Sequence, residues 1–318
     1  MDGGLNTVAV VFEAPERLAF SRLELTPPGV DDVVVDVDWS GISTGTERLL
    51  WSGRMPPFPG MGYPLVPGYE SVGRVARVGP HSTLKVGDPV FVPGARCFGA
   101  VRGLFGGAAR HLVVPEARVV PLDGDLGETG VLMALAATAH HAVAAEQARP
   151  PELIVGHGVL GRLLARVALA MGAPAPVVWE QAAGRRDGAA GYPVVAPDDD
   201  PKRDYRAIYD VSGDASLLDE LIGRLAPAGE IVLAGFYSDR PSFAFPPAFM
   251  REARLRVAAE WQPPDLAAVK SLVAAGRLSL ADLITHRCDA GSDAAAAYET
   301  AFNDPTCLKM VLDWRRCS

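Results

Sequence analysis

The sequence predicts an α/β protein, with a small all-β domain followed by a doubly wound parallel sheet, on three observations. A short apolar run, Leu153-Ile-Val155, leads straight into the turn Gly156-His-Gly-Val-Leu-Gly161. Before it, runs such as Val33-Val-Val-Asp-Val-Asp-Trp39, Gly73-Arg-Val-Ala-Arg-Val78 and Pro89-Val-Phe-Val92 are separated by Pro and Gly clusters, the pattern of a β-barrel. After it, apolar strands alternate with helical stretches, which implies βαβ units and a parallel sheet.

The glycine turn is the first element to justify. Gly156 permits a tight turn, Gly158 lets the backbone approach a pyrophosphate, and Gly161 lets the next helix pack close to the strand. The helix Leu160 to Met171 ends at Gly172, and a second strand, Pro176 to Trp179, closes on Glu180. Glu180 lies about 20 residues beyond Gly161, where a carboxylate accepts the ribose hydroxyls of an adenosine and repels a 2′-phosphate. The pattern predicts a Rossmann unit that binds NAD through Gly156, His157, Gly158, Val159, Leu160, Gly161 and Glu180. Arg185 and Arg186 lie close behind and bear on that preference. A long helix is expected over Leu126 to Arg149, stopped by Pro150-Pro151. Further alternation follows: a strand over Ala207 to Ser212, a helix over Ser216 to Leu225 and a strand over Gly229 to Gly235. Ser212 and Gly235 fall at carboxyl ends of strands, where the nicotinamide half of the cofactor would rest. A helix over Asp265 to Ala275 and a strand over Leu308 to Trp314 complete the chain. The domains expected are a catalytic barrel over 1–122, a nucleotide domain over 123–268 and a return to the barrel over 269–318.

Composition narrows the function. The chain has 318 residues, 49% of them hydrophobic, enough to bury two cores. A net charge of −8 argues against nucleic acid as a partner. No apolar run reaches the roughly 20 residues of a membrane span, and the N-terminus lacks a signal-peptide pattern, so a cytoplasmic location is expected. Cys97, Cys288, Cys307 and Cys317 form no close pair and read as reduced thiols.

Three stretches resemble the medium-chain dehydrogenase/reductase superfamily: Lys85-Val-Gly-Asp-Pro-Val90, Val66-Pro-Gly-Tyr-Glu-Ser-Val-Gly73, and the cofactor turn. The resemblance implies a GroES-like barrel for the first domain. In zinc-dependent members, a Cys after Gly-Ile and a His before the Glu of the second stretch bind catalytic zinc. Here Ser43 and Tyr69 stand in those places, the third ligand position falls near Ala134, and the four-cysteine structural loop is missing. Serine and tyrosine are poor zinc ligands, so no metal is expected.

The run from Ser40 to Glu70, which includes Gly41-Ile-Ser-Thr-Gly-Thr-Glu47 and Met55-Pro-Pro-Phe-Pro-Gly-Met-Gly-Tyr63, resembles the BchC family of bacteriochlorophyllide a dehydrogenases. That resemblance implies oxidation of the 3-(1-hydroxyethyl) group of a bacteriochlorophyllide, or of the chlorophyllide analogue, to 3-acetyl with NAD. Trp51, Met55, Phe58 and Tyr63 would cover the tetrapyrrole face, or pack the loop on its own barrel. Arg48, Arg54 or Arg102 would hold its propionate, or be a surface charge. Without zinc a side chain must take the alcohol proton, and histidine suits that role. His140, on the long helix, is the expected base. Consecutive helical residues point about 100° apart, so one of the pair is expected to face the cleft, and the resemblance implies that His141 is the structural one. Ser43 and Thr44 offer relay hydroxyls, and Tyr69 a hydrogen bond to the substrate oxygen. Glu47 and Glu70 would orient the ribose, Tyr69 or a histidine, or serve as ion-pair partners. A homodimer is a superfamily expectation. Two other readings fit the same residues, a zinc-free quinone or enone reductase and a non-catalytic nucleotide-binding regulator.

Overall fold

The computed structural model describes residues 4–317. Two compact units are present: described residues up to 134 together with those from 283 on, and residues 135–282.

The first unit opens with strands β1 (Asn6–Ala14), β2 (Arg17–Glu24) and β3 (Asp32–Ile42), a short helix α1 (Thr46–Trp51), and strands β4 (Leu65–Val66), β5 (Ser71–Val78), β6 (Pro89–Val92), β7 (Arg102–Gly103), β8 (His111–Pro115) and β9 (Val120–Pro121). Helix α2 (Met133–Ala144) leads into the second unit. There follow β10 (Leu153–Val155), α3 (Val159–Ala170), β11 (Val177–Trp179), β12 (Val194–Val195), β13 (Tyr205–Asp210), α4 (Leu218–Arg224), β14 (Leu225–Leu233), α5 (Phe245–Met250), β15 (Arg254–Val257) and α6 (Pro263–Ala274). The chain then rejoins the first unit as β16 (His286–Asp289), α7 (Ala290–Asn303) and β17 (Met310–Asp313).

β3 is the spine of the first unit. Its Val33, Val34, Val35 and Val37 are all buried, and it pairs antiparallel with β5, β8 and β17. The returning chain is therefore part of the sheet, through Met310 opposite Ile42. A second sheet runs β2-β1-β4-β7.

The second unit is one parallel sheet in the order β12-β11-β10-β13-β14-β15. The strand order reverses beside β10, so the carboxyl ends of β10 and β13 flank the switch point where such sheets bind ligands. β10 is buried throughout, as a central parallel strand should be.

Several boundaries differ from the sequence reading. The long helix expected over Leu126 to Arg149 is a 3-10 turn over Gly127–Leu132 followed by α2, because Gly127 takes a φ of +54° and interrupts the ladder. That turn belongs to the barrel side, with Glu128 paired to Arg287, so the first unit runs past residue 122. The second unit runs past 268 because Asp265 on α6 binds both His140 and His141, and Arg166 on α3 donates to the Ser279 and Ala281 carbonyls. α5 and α7 went unread.

Candidate active site and cofactor turn

The cofactor turn is built from the backbone outward. Gly156 has φ +105°, and a Cβ on Gly161 would stand 1.9 Å from the Gly156 carbonyl oxygen. Both glycines are thus obligatory for β10 to meet α3. Gly158 is the N-cap of α3; no side chain caps the helix, and a Cβ there would meet nothing within 4 Å. The first-turn amides of Val159 and Leu160 are left to an anion. Glu180 follows β11, and its carboxylate accepts the His157 N–H at 3.2 Å and the Ala182 N–H at 2.8 Å. An open helix N-terminus with an acid at the next strand end fits a dinucleotide with a free ribose diol.

Two of the expected cofactor contacts change. The His157 side chain is fully buried, so only its backbone can face a cofactor. Ser212 donates its hydroxyl to Asp210 at 2.6 Å. Asp210 also accepts the Tyr237 hydroxyl at 2.6 Å, and burial pushes its carboxyl up. Ser212 is therefore held by the strand end it follows, and Gly235 donates its N–H to the Asp210 carbonyl at 3.0 Å.

In the same unit, one Asp265 oxygen lies 2.8 Å from His140 Nδ1 and the other 2.9 Å from His141 Nδ1. The expectation that the two histidines part company is corrected: a carboxylate with two oxygens reaches both rings. Burial pushes the Asp265 carboxyl up, but the Gln262 N–H and the two imidazoles outweigh it and hold the group below its ordinary range. With Nδ1–H donated to a carboxylate, each ring keeps a bare Nε2 that can take a proton. Asp265 was missed, although Gln262-Pro-Pro-Asp265 carries a capping signal, and the box is formed.

The first unit gathers Ser43, Thr46, Glu47, Tyr69 and Glu70. Ser43 ends β3, and its Oγ accepts the Tyr69 hydroxyl at 2.8 Å and the Thr46 N–H at 3.3 Å. Both lone pairs are occupied, so the remaining Ser43 hydrogen is free to donate. Tyr69 has given its own hydrogen to Ser43, which corrects the expectation that it donates directly to a substrate oxygen. Burial, with the neighbouring Glu70 charge, pushes the Tyr69 phenol well above its ordinary range. Thr44, next to Ser43, is partly exposed.

Glu47 and Glu70 are both fully buried, and the partners they show lie within the first unit. Glu47 accepts the Ser43 N–H at 3.0 Å and the Tyr298 hydroxyl at 2.9 Å. Burial above all raises its carboxyl to about 7. Glu70 pairs with buried Lys309, while its other oxygen is buried without a partner among the described residues. Tyr298 and Lys309 come from the returning chain and carried no sequence signal.

The loop after α1 turns inward. Trp51 packs edge-on against Phe12 with centroids 5.5 Å apart, Met55 is 6% exposed, and Phe58 and Tyr63 pack against the barrel core. Tyr63 also donates its hydroxyl to the Leu50 carbonyl. Met55 is buried in the barrel, whereas Trp51, Phe58 and Tyr63 pack against it on one side and stay partly exposed. Arg102 donates to the Tyr63 carbonyl at 3.2 Å, and Arg48 is exposed.

Residues 29–124 match the alcohol dehydrogenase GroES-like domain. The chain also shares its fold with an Escherichia coli protein described as a short chain alcohol dehydrogenase and solved with NADH, at a TM-score of 0.82 and 21% identity, covering 98% of this chain and 100% of that one. Barrel and parallel sheet together place it in the medium-chain dehydrogenase/reductase superfamily. It is 57% identical to the 2-desacetyl-2-hydroxyethyl bacteriochlorophyllide A dehydrogenase of Rhodobacter capsulatus and 56% identical to that of Cereibacter sphaeroides, each over 98% of this chain and 99% of the relative. The chain belongs to this family of bacteriochlorophyllide dehydrogenases.

Proposed function

We propose that the protein oxidises the 3-(1-hydroxyethyl) group of a bacteriochlorophyllide to a 3-acetyl group, with NAD and without catalytic zinc. The observation that carries this reading is 57% identity along 98% of the chain to a relative named for that substrate. Glu180, facing a ribose diol, supports NAD over NADP. The donor set supports chemistry without zinc. Ser43 and Tyr69 hydrogen-bond each other, and a hydroxyl and a phenol are poor zinc ligands beside thiolate and imidazole.

When bound, NAD supplies the hydride acceptor. The chain's own residues must then remove one proton and stabilise the oxygen that loses it. Within the second unit, His140 offers Nε2 as a proton acceptor, with Asp265 on Nδ1 positioned to stabilise an imidazolium. Within the first unit, Ser43 keeps one hydrogen that can be donated to an oxyanion, and Tyr69 strengthens that donor through Ser43 Oγ. Glu47 fixes the Ser43 backbone. Incubation with NAD and the hydroxyethyl pigment should yield one NADH per acetyl group formed; unchanged pigment would refute the reading.

Assembly and location follow from other features. β15 is a sheet edge whose Val257 is 74% exposed, beside exposed Phe245, Phe249 and Met250. An edge strand can pair antiparallel with its own copy across a two-fold axis, so we assign a homodimer. Light scattering should report a dimer, and Val257→Lys should shift it to monomer. Among the described residues no helix is long and apolar enough to cross a membrane, and none of the four cysteines is in a disulfide, which supports a cytoplasmic location.

A further inference from the structure

The residues after Glu180 form a mostly exposed loop over 181–191, broken only by a 3-10 turn at Ala183–Arg185. Three buried side chains lie against it. His157 is fully buried, Arg162 and Tyr192 are each 7% exposed, and the first two belong to the cofactor turn and α3. The Arg185 carbonyl accepts from His157 Nδ1 at 2.7 Å and from Arg162 Nη2 at 3.0 Å. Because a carbonyl can only accept, Nδ1 carries the hydrogen. His157 Nε2 is then bare and accepts the Tyr192 hydroxyl at 3.0 Å. Burial, aided by the Arg162 charge against the pull of the Arg185 carbonyl, holds His157 below its ordinary range, in keeping with this neutral tautomer.

The contact is close along the loop. Gly188 has φ +80°, and a Cβ there would stand 2.3 Å from Arg162 Nη1, so the loop rests on the guanidinium. Arg162 Nε also donates to the His157 carbonyl at 3.1 Å, which ties the loop back to the glycine turn. From the loop itself, Arg186 donates to the Glu180 and Gln181 carbonyls, both at 2.9 Å. Arg162 and Arg186 thus spend their donors on the backbone instead of offering a grip for a 2′-phosphate. The Glu180 carboxylate is held by one N–H from the turn, that of His157, and one from the loop, that of Ala182. If the loop shifts, the second of these donors moves and the carboxylate loses its fixed position.

We infer that Arg162 and His157, braced by Tyr192, form a buried latch that fixes the Glu180 carboxylate and thereby sets the preference for NAD over NADP. They are positioning residues acting through Glu180, and the inference rests on the NAD reading given above. The latch holds a carboxylate where it can bond a ribose diol and repel a phosphate. Discrimination needs that fixed position, because a carboxylate free to swing aside repels far less.

Binding of NADH and NADPH by the full-length protein, followed by nicotinamide fluorescence, tests this without turnover. Wild type should prefer NADH. Arg162→Met should weaken NADH binding about tenfold while leaving NADPH binding nearly unchanged, so the preference falls. In a Glu180→Ala background, Arg162→Met should leave the NADH to NADPH ratio where Glu180→Ala alone puts it. Equal losses for the two nucleotides, or an undiminished effect of Arg162→Met without Glu180, would overturn the latch. Tyr192→Phe removes one hydroxyl and should lower the preference a few-fold; should Arg162→Met fail to fold, an unchanged ratio in Tyr192→Phe would overturn it instead. A wild type that prefers NADPH would refute the NAD reading itself, and the latch with it.

Discussion

The cofactor turn and the Ser43 cluster solve the burial of polar groups in opposite ways. Around Gly156 and Gly161, buried side chains bond backbone carbonyls and one another, so that the Arg162 charge ends on the His157 and Arg185 carbonyls. Around Ser43, two carboxylates and an ammonium lie fully or almost fully buried, and one oxygen of Glu70 has no partner among the described residues. The first arrangement fixes shape. The second keeps ionisable groups under electrostatic stress, which raises the Glu47 and Glu70 carboxyls by burial. Stress of that kind concentrates where protons are handled.

Removing the proposed base should have the largest effect on this contrast. His140→Ala should lower kcat roughly 10²- to 10⁴-fold with NADH binding intact, and His141→Ala much less. Similar losses in both would mean that the Asp265 pair acts as a unit. Gly161→Ala strikes the cofactor side: its Cβ would meet the Gly156 carbonyl, so NADH binding should weaken about a hundredfold, and near-normal binding would show that the turn is not rigid.

Glu47→Gln should act on stability, and its sign can be worked out. Folded Glu47 holds its proton to about pH 7, against an ordinary value of 4.5. Between those values the unfolded chain binds fewer protons, so the stability of the native protein falls as pH rises through that window. Glutamine removes this loss; melts should coincide near pH 4.5 and favour the variant by roughly 3 kcal/mol at pH 8. A variant less stable at pH 8 would mean that ionised Glu47 is well stabilised. Smallest is Tyr69→Phe, which leaves Ser43 Oγ without its donor: kcat should fall about tenfold while the KM for NAD stays constant. A rise in KM alone would make Tyr69 a binding residue.

The same contrast explains what could be read from sequence. Gly156, Gly158, Gly161 and Glu180 are set by local backbone demands within one βαβ unit, so the spacing of residues reveals them. The Ser43 cluster joins Glu47 to Tyr298 and Glu70 to Lys309 across 251 and 239 positions of sequence. Nothing local marks such partners. At Trp51 to Tyr63 composition alone could not tell a ligand-facing loop from one packed on its barrel, and the rings do pack in part on Phe12 and the barrel core. Helical phase misled at His141, because Asp265 lies far along the chain and reaches both rings.

The most direct test is turnover by protein stripped with chelator and shown by elemental analysis to hold no zinc. Mixed with NAD and the hydroxyethyl bacteriochlorophyllide, it should shift the pigment's red band and form NADH at the rate of untreated protein. Activity that disappears on stripping and returns only with zinc would contradict proton removal by the chain's own residues.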